Sequence, residues 1–239
     1  MSWDSDPRSQ PVNRSTTNDY DAFAAAYAAD NEANPCNAHY ERPAMLRLAG
    51  PVAGRRVLDA GCGAGALSAA LLERGATVAG IDSSRGLLAL AAERLGDKAD
   101  LHHGDLRDPL PFNDETFDLV VTSLVMHYLP DWNPALREFH RVLSPGGRLV
   151  ISTHHPFIDH TLAGGANYFT TYDFTETRQR GDHRVRMRFW HRPLSAMTRA
   201  ITDAGFHLDR IDEPQPDPIV RDLDPDAWRT LTTEPRSRC

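Results

Sequence analysis

Along the chain, short apolar runs alternate with longer segments whose apolar residues recur every three or four positions. The runs cover 56–60, 77–82, 100–104, 117–123 and 148–153, and the periodic segments cover 66–74, 84–95, 134–143 and 194–204. Runs of the first kind predict strands and segments of the second kind predict helices. Their alternation predicts an α/β fold, a Rossmann-like doubly wound sheet that is mostly parallel and joined by right-handed crossovers. Ser144-Pro145-Gly146-Gly147 stops a helix and starts a strand. A further apolar stretch at 206–211 predicts a last strand at an antiparallel C-terminal edge, and Pro214, Pro216 and Pro218 make the segment after it a loop.

Two stretches break the rhythm. Residues 167–177 and 184–190 are rich in Thr, aromatic and β-branched residues, with Gly181-Asp182 between them. They predict an antiparallel hairpin after the fifth strand, within an insertion of about 157–192. Insertions at the carboxyl ends of strands commonly carry specificity; a dimer edge or a plain sheet extension is the alternative. Ahead of the alternating region, 19–31 predicts a helix with Asp19 or Asp21 near its cap and Tyr20, Phe23 and Tyr27 at helical spacing. A second short helix is expected at 43–49. Residues 1–17 are polar and are expected to form a disordered tail. The expected organisation is therefore a tail (1–17), an N-terminal helical unit (18–50) and a main domain (51–239).

Composition narrows the partners. The 239 residues are 41% hydrophobic and 25% charged, which suits one domain with a modest insertion. The formal net charge is −7 and Lys98 is the only lysine, a balance that argues against a nucleic-acid partner. Cys36, Cys62 and Cys239 make no disulfide framework. No apolar run approaches the length of a membrane span and the N-terminus lacks a signal-peptide core, so a cytoplasmic protein without a membrane partner is expected.

The candidate chemistry sits at Val57-Leu58-Asp59-Ala60-Gly61-Cys62-Gly63-Ala64-Gly65. A strand ends in an acid, passes three alternate glycines and enters an Ala/Leu-rich helix. Glycine tolerates positive φ and lets a ligand approach bare backbone, at the strand ends where open α/β sheets bind ligands. The second strand ends in Asp82, whose carboxylate can accept two hydroxyl donors of a ribose. Asp59 could instead cap the following turn, and Asp82 could also cap the next helix. Together the loop and the two acids point to a nucleoside-type cofactor.

LDAGCGAG at 58–65, GIDSS at 80–84, HGDL at 103–106, FDLVVTSLVMHYL at 117–129 and LSPGGRLVISTHHP at 143–156 resemble, in order and spacing, the class I S-adenosylmethionine-dependent methyltransferases of the small bacterial, type 11-like branch. The resemblance implies S-adenosylmethionine as cofactor. By motif, Gly61, Cys62 and Gly63 would lie along its methionine part, with Asp59 orienting the amino group or the loop. Asp82 would hold the ribose hydroxyls with Ser83 beside it. Asp105 would meet the adenine amino group beside the Leu106 backbone, and Ser123 would line the methionine side. The Ala-rich N-terminal helix with Tyr20 and Tyr27 resembles the lid over the cofactor. Between its glycines Cys62 reads as a tolerated small residue, not a nucleophile.

Methyl transfer needs a base only when the acceptor must lose a proton early. His127, His154 and His155 follow the fourth and fifth strands and are the candidate bases, with His191 at the hairpin. Their alternative role is to bind backbone or shape the pocket. No metal site is expected, because no Cys/His/acid spacing matches a structural zinc site. Arg192 could bind an acidic group or pair with a surface acid; the surface pair is the favoured reading. The acceptor is expected to be a small molecule, since the chain lacks the Asn/Asp-Pro-Pro-aromatic tetrapeptide of base and glutamine amino-methylation. A natural-product tailoring role and a monomer or homodimer complete the expectation. An NAD(P)-dependent oxidoreductase and a catalytically inactive partner subunit are the competing readings. The first is opposed by Asp59, by G-x-G-x-G spacing and by the lack of a Tyr–Lys pair.

Overall fold

The computed structural model describes residues 18–164, 167–180 and 183–233, so the expected tail at 1–17 and Cys239 lie outside the described residues. The helices are α1 (Ala24–Ala33), α2 (Arg42–Ala49), α3 (Ala66–Glu73), α4 (Arg85–Leu95), α5 (Asn133–Val142), α6 (Pro156–Leu162), α7 (Leu194–Asp203), α8 (Val220–Leu223) and α9 (Pro225–Thr233). The strands are β1 (Arg56–Ala60), β2 (Thr77–Asp82), β3 (Ala99–His103), β4 (Phe117–Ser123), β5 (Leu143–Ser152), β6 (Tyr172–Arg180) and β7 (His183–His191).

β1 to β5 form one parallel sheet in the order β3-β2-β1-β4-β5. Alternate residues of β1 serve the two faces. Val57 packs with Met45 of α2 and Leu67 and Leu71 of α3, while Leu58 and Ala60 pack with Leu136 and Phe139 of α5. The strand order reverses at β1, with β2 on one side and β4 on the other, and this places a crevice at the carboxyl ends of those strands. β5 starts earlier than the sequence suggests: it runs through Pro145-Gly146-Gly147, with a register irregularity between Phe117 and Leu119 of its partner.

The second sheet is the predicted hairpin, β6 antiparallel to β7, reached after α6, a helix that the sequence reading did not anticipate. Its inner face joins the N-terminal segment: Met187 and Phe189 are buried with Phe23, and Tyr20, Tyr27 and Tyr128 pack against them. Asn18 fastens the edge, donating to Arg188 O at 3.0 Å and accepting from Arg188 N at 2.8 Å. Residues 206–211 form no strand. Phe206 instead packs on the core beside α5, its ring 5.2 Å from that of His140. The apolar signal there belonged to side-chain packing, not strand pairing.

Arg192 also departs from its surface reading. It is 5% exposed, donates to Pro130 O at 2.8 Å and lies 4.9 Å over the Trp132 ring. Burial lowers its pKa to about 10. The residue therefore pins the end of the hairpin to the loop after β4. Beyond it, Val220 and Leu231 bury Cys36 and Tyr40, so the C-terminal helices buttress the N-terminal unit. No helix among the described residues is long and apolar enough to cross a membrane.

Candidate active site

The crevice holds two adjoining clefts. The first, about 600 Å³ with open solvent included, is floored by Asp59, Gly61, Cys62 and Gly63, walled by Ser123 and Leu124, and roofed by Tyr27, Asn31, Asn37, Glu41 and Arg42. The glycine turn keeps it open. Gly61 has φ +82°, and a Cβ there would overlap the Val125 side chain, so only glycine fits. Gly61 N and Cys62 N donate to Ile81 O at 2.8 and 3.1 Å, which anchors the turn to β2. Burial pushes the Cys62 thiol up, in keeping with an inert residue between glycines.

Asp59 shares the face of Val57, and Ser68 of α3 donates to its Oδ2 at 2.6 Å. Its Oδ1 is buried without a hydrogen-bond partner among the described residues, and burial raises its pKa to about 7. An orphaned carboxylate oxygen at a cleft floor suits a cationic amino group.

The acids of the neighbouring strands line up beside this floor but outside the cleft lining. Asp82 accepts from Gly63 N at 2.9 Å and from Ser84 N at 2.8 Å. A carboxylate offers about four acceptor positions, so capacity remains for hydroxyl donors. Asp82 does not cap α4; Ser84 does, accepting from Leu87 N at 3.1 Å. Asp21 supports that cap by accepting from Ser84 Oγ and Gly86 N, at 2.6 and 2.8 Å, and these bonds hold its carboxyl below the usual range. Ser83 is exposed and offers its carbonyl oxygen to His103 Nε2 at 3.1 Å. Asp105 follows β3 and is forked to Arg107, which holds its carboxyl below the usual range. The Leu106 side chain is core.

Four roof residues escaped the sequence reading: Asn31, Asn37, Glu41 and Arg42. Residues Asn37–Glu41 form a π-helical turn, a feature frequent at functional sites. Glu41 is buried, and Ser123 Oγ at 2.7 Å and Ser152 Oγ both donate to its Oε1. Burial raises the Glu41 pKa. This carboxyl ties the roof to the ends of β4 and β5. Arg42 donates to Asn31 Oδ1 at 3.0 Å.

The second cleft, about 380 Å³ with open solvent included, shares Tyr27, Asn37 and Leu124 with the first. Its other lining residues are Tyr20, Phe23, His127, Tyr128, His154, Arg178 and Met187. Tyr20 thus faces this cleft and not the first, with its hydroxyl bonded to that of Tyr128. His127 and His154 stack with centroids 3.6 Å apart. His154 Nδ1 lies 3.0 Å from Oδ1 of Asp159, another residue that no motif marked, and both are buried. His155 is separated from the other two. Its Nδ1 accepts from Phe157 N at 3.3 Å, capping α6, and its Nε2 lies 3.1 Å from Glu213 Oε1. His191 is buried with Nε2 on Tyr168 O at 2.8 Å.

Burial, then His154 and Arg178, lower the His127 pKa well below its ordinary 6.5. The unfolded chain therefore takes up this proton first. The contribution is complete above about 6.5 and is lost as pH falls through that value towards the folded one. His127→Gln should remove a stability slope approaching about 1.4 kcal/mol per pH unit, read as the difference between wild-type and variant denaturation midpoints below pH 6.5. Parallel curves for the two proteins would contradict a buried neutral His127.

The methyltransferase-domain family matches residues 58–151, which span the glycine turn and all five strands of the main sheet except the start of β1 and the end of β5. Over that region the chain carries a methyltransferase domain of the class I S-adenosylmethionine-dependent kind. A methyltransferase of this dependence from Mesorhizobium loti has 25% identity and a TM-score of 0.67, over 86% of this chain and 96% of that one. A demethylmenaquinone methyltransferase of Clavibacter sepedonicus is 39% identical over 55% of each chain. A ubiquinone biosynthesis O-methyltransferase of Pseudomonas syringae pv. tomato is 38% identical over 43% of this chain and 45% of its own. The chain thus spans about half the length of these curated relatives. S-adenosylmethionine is the cofactor of the family, and the orphaned Asp59 oxygen and open glycine turn fit its amino-acid end.

Proposed function

We propose that this methyltransferase transfers a methyl group to a small-molecule acceptor held in the second cleft. The junction of the two clefts at Tyr27, Asn37 and Leu124 carries the reading, because it gives two ligands one shared boundary. S-adenosylmethionine, when bound, supplies an electrophilic methyl carbon on a sulfonium, open to in-line attack. The chain's own task is to align the partners and exclude water, which can contribute about 7–11 kcal/mol.

Asp59, Gly61 and Gly63 would hold the amino-acid end, with Cys62 between them, Ser123 on the same wall and Arg42 and Tyr27 above. Asp82 would take the ribose hydroxyls, with Ser83 beside it. Asp105 and the Leu106 backbone would take the adenine, which requires Asp105 to share its carboxylate with Arg107. Residues 18–50 would act as the lid. His154 is the base: donation of Nδ1–H to Asp159 leaves the basic lone pair on Nε2. His127 supports it by stacking. His155, engaged at α6, is the weaker candidate. The names of two partial relatives, a demethylmenaquinone methyltransferase and a ubiquinone biosynthesis O-methyltransferase, agree with a small organic acceptor. Tailoring of a natural product in the cytoplasm fits the composition.

Calorimetry with S-adenosylhomocysteine and with NAD tests the reading. Saturable binding of the first and none of the second is expected. A folded protein that binds neither would be an inactive partner subunit instead.

A further inference from the structure

The second cleft is dominated by rings, yet the hairpin sends one guanidinium into it. Arg178 is the single arginine or lysine among the described lining residues, and no carboxylate lines the cleft. Its side chain is 15% exposed. The guanidinium carbon lies 4.8 Å over the Phe189 ring, whose face offsets part of the desolvation. Glu176 accepts from Nε at 3.3 Å. That is the only hydrogen bond of Arg178 among the described residues, so the two terminal nitrogens remain for a ligand. Among the described residues Glu176 is the one carboxylate paired with Arg178, and it engages Nε alone. Of the other titratable groups nearby, His127 is neutral, Tyr20 is pushed well up by burial, and Asp159 stands behind His154.

A cation held this way repels a cationic ligand and receives an oxyanion bidentately. The walls Tyr20, Phe23 and Tyr128 favour a flat apolar body. We propose that the methyl acceptor is a small aromatic acid whose carboxylate is received by Arg178 of the inserted hairpin. The proposal rests on the methyl-transfer reading above. It makes the hairpin the element that selects the acceptor.

The test titrates salicylate and its neutral isostere salicylamide into protein saturated with S-adenosylhomocysteine. Salicylate should bind at least about tenfold more tightly, the range of one charge-assisted pair. Arg178→Met should erase the preference, and Arg178→Lys should keep part of it; wild-type affinity for S-adenosylhomocysteine in both variants reports an intact fold. Equal affinity for acid and amide in the wild type, or a preference that survives Arg178→Met, overturns the proposal. So does binding of S-adenosylhomocysteine with no binding of either aromatic, which leaves the methyl-transfer reading standing. Failure to bind S-adenosylhomocysteine at all removes that reading and the acceptor assignment with it.

Discussion

Asp82→Ala should weaken S-adenosylhomocysteine binding by about 3 kcal/mol, roughly a hundredfold, because two charge-assisted hydrogen bonds to a ribose vanish together. The position explains the size of the effect. Asp82 closes β2 next to the glycine turn, and burial raises its pKa, so its charge is held by donors and not by solvent. Two of those donors are Gly63 N and Ser84 N. The alanine variant thus loses the sugar grip and also the tether between the turn and the start of α4. Asp82→Asn separates the two losses. It keeps one acceptor oxygen but turns an NH₂ towards a backbone N–H, so it should bind more weakly than wild type and more tightly than Asp82→Ala. Calorimetry gives the affinities and thermal denaturation the stability cost. Wild-type affinity in Asp82→Ala would remove Asp82 from the cofactor site, and with it the main support for a nucleoside ligand in this crevice.

How far the sequence reaches depends on which force acts at each residue. β1, β2 and β4 begin and end where the apolar runs do, because buried strands must be apolar and little else fits there. The glycine turn is equally legible, since a position such as Gly61 admits no side chain. Residues 206–211 mislead, because Phe206 reaches the core from irregular backbone, and burial alone does not imply a strand. Arg192 misleads for the converse reason. An arginine is expected at the surface, yet backbone carbonyls of Leu129 and Pro130 and the Trp132 ring satisfy this one inside. Glu41, Asp159 and Arg178 were invisible for another reason. Glu41 meets a partner far away in the sequence, Arg178 acts through a cleft, and Asp159, though close to His154 in the chain, meets it only once α6 has folded back; no motif encodes such a meeting. Histidines at strand ends could be named as a group, but only the fold separates His154, paired with a buried acid, from His155, spent on a helix cap.

That separation makes the second large effect specific. With an acceptor hydroxyl as nucleophile, His154→Gln should lower kcat by about 10²–10⁴-fold, the usual worth of a positioned base, and leave S-adenosylhomocysteine affinity unchanged. Asp159→Asn should lower kcat by about 10²-fold or more while His154 stays in place. An amide no longer stabilises the imidazolium that forms when His154 takes the proton, and it can hold the ring in the wrong tautomer. The variant should also move the acid limb of the rate–pH profile, where rate is lost as the base takes up its proton, to lower pH, because a carboxylate 3.0 Å from Nδ1 favours protonation and an amide does not. His155→Gln provides the contrast: its ring is engaged by Phe157 N and Glu213, so kcat should stay within about twofold and only the α6 cap, worth about 1 kcal/mol, should be lost. Stopped turnover of an aromatic acceptor with wild type and the three variants measures all of these. Equal kcat and an unshifted pH profile for Asp159→Asn would reduce the His154–Asp159 pair to a structural contact and leave proton removal to solvent.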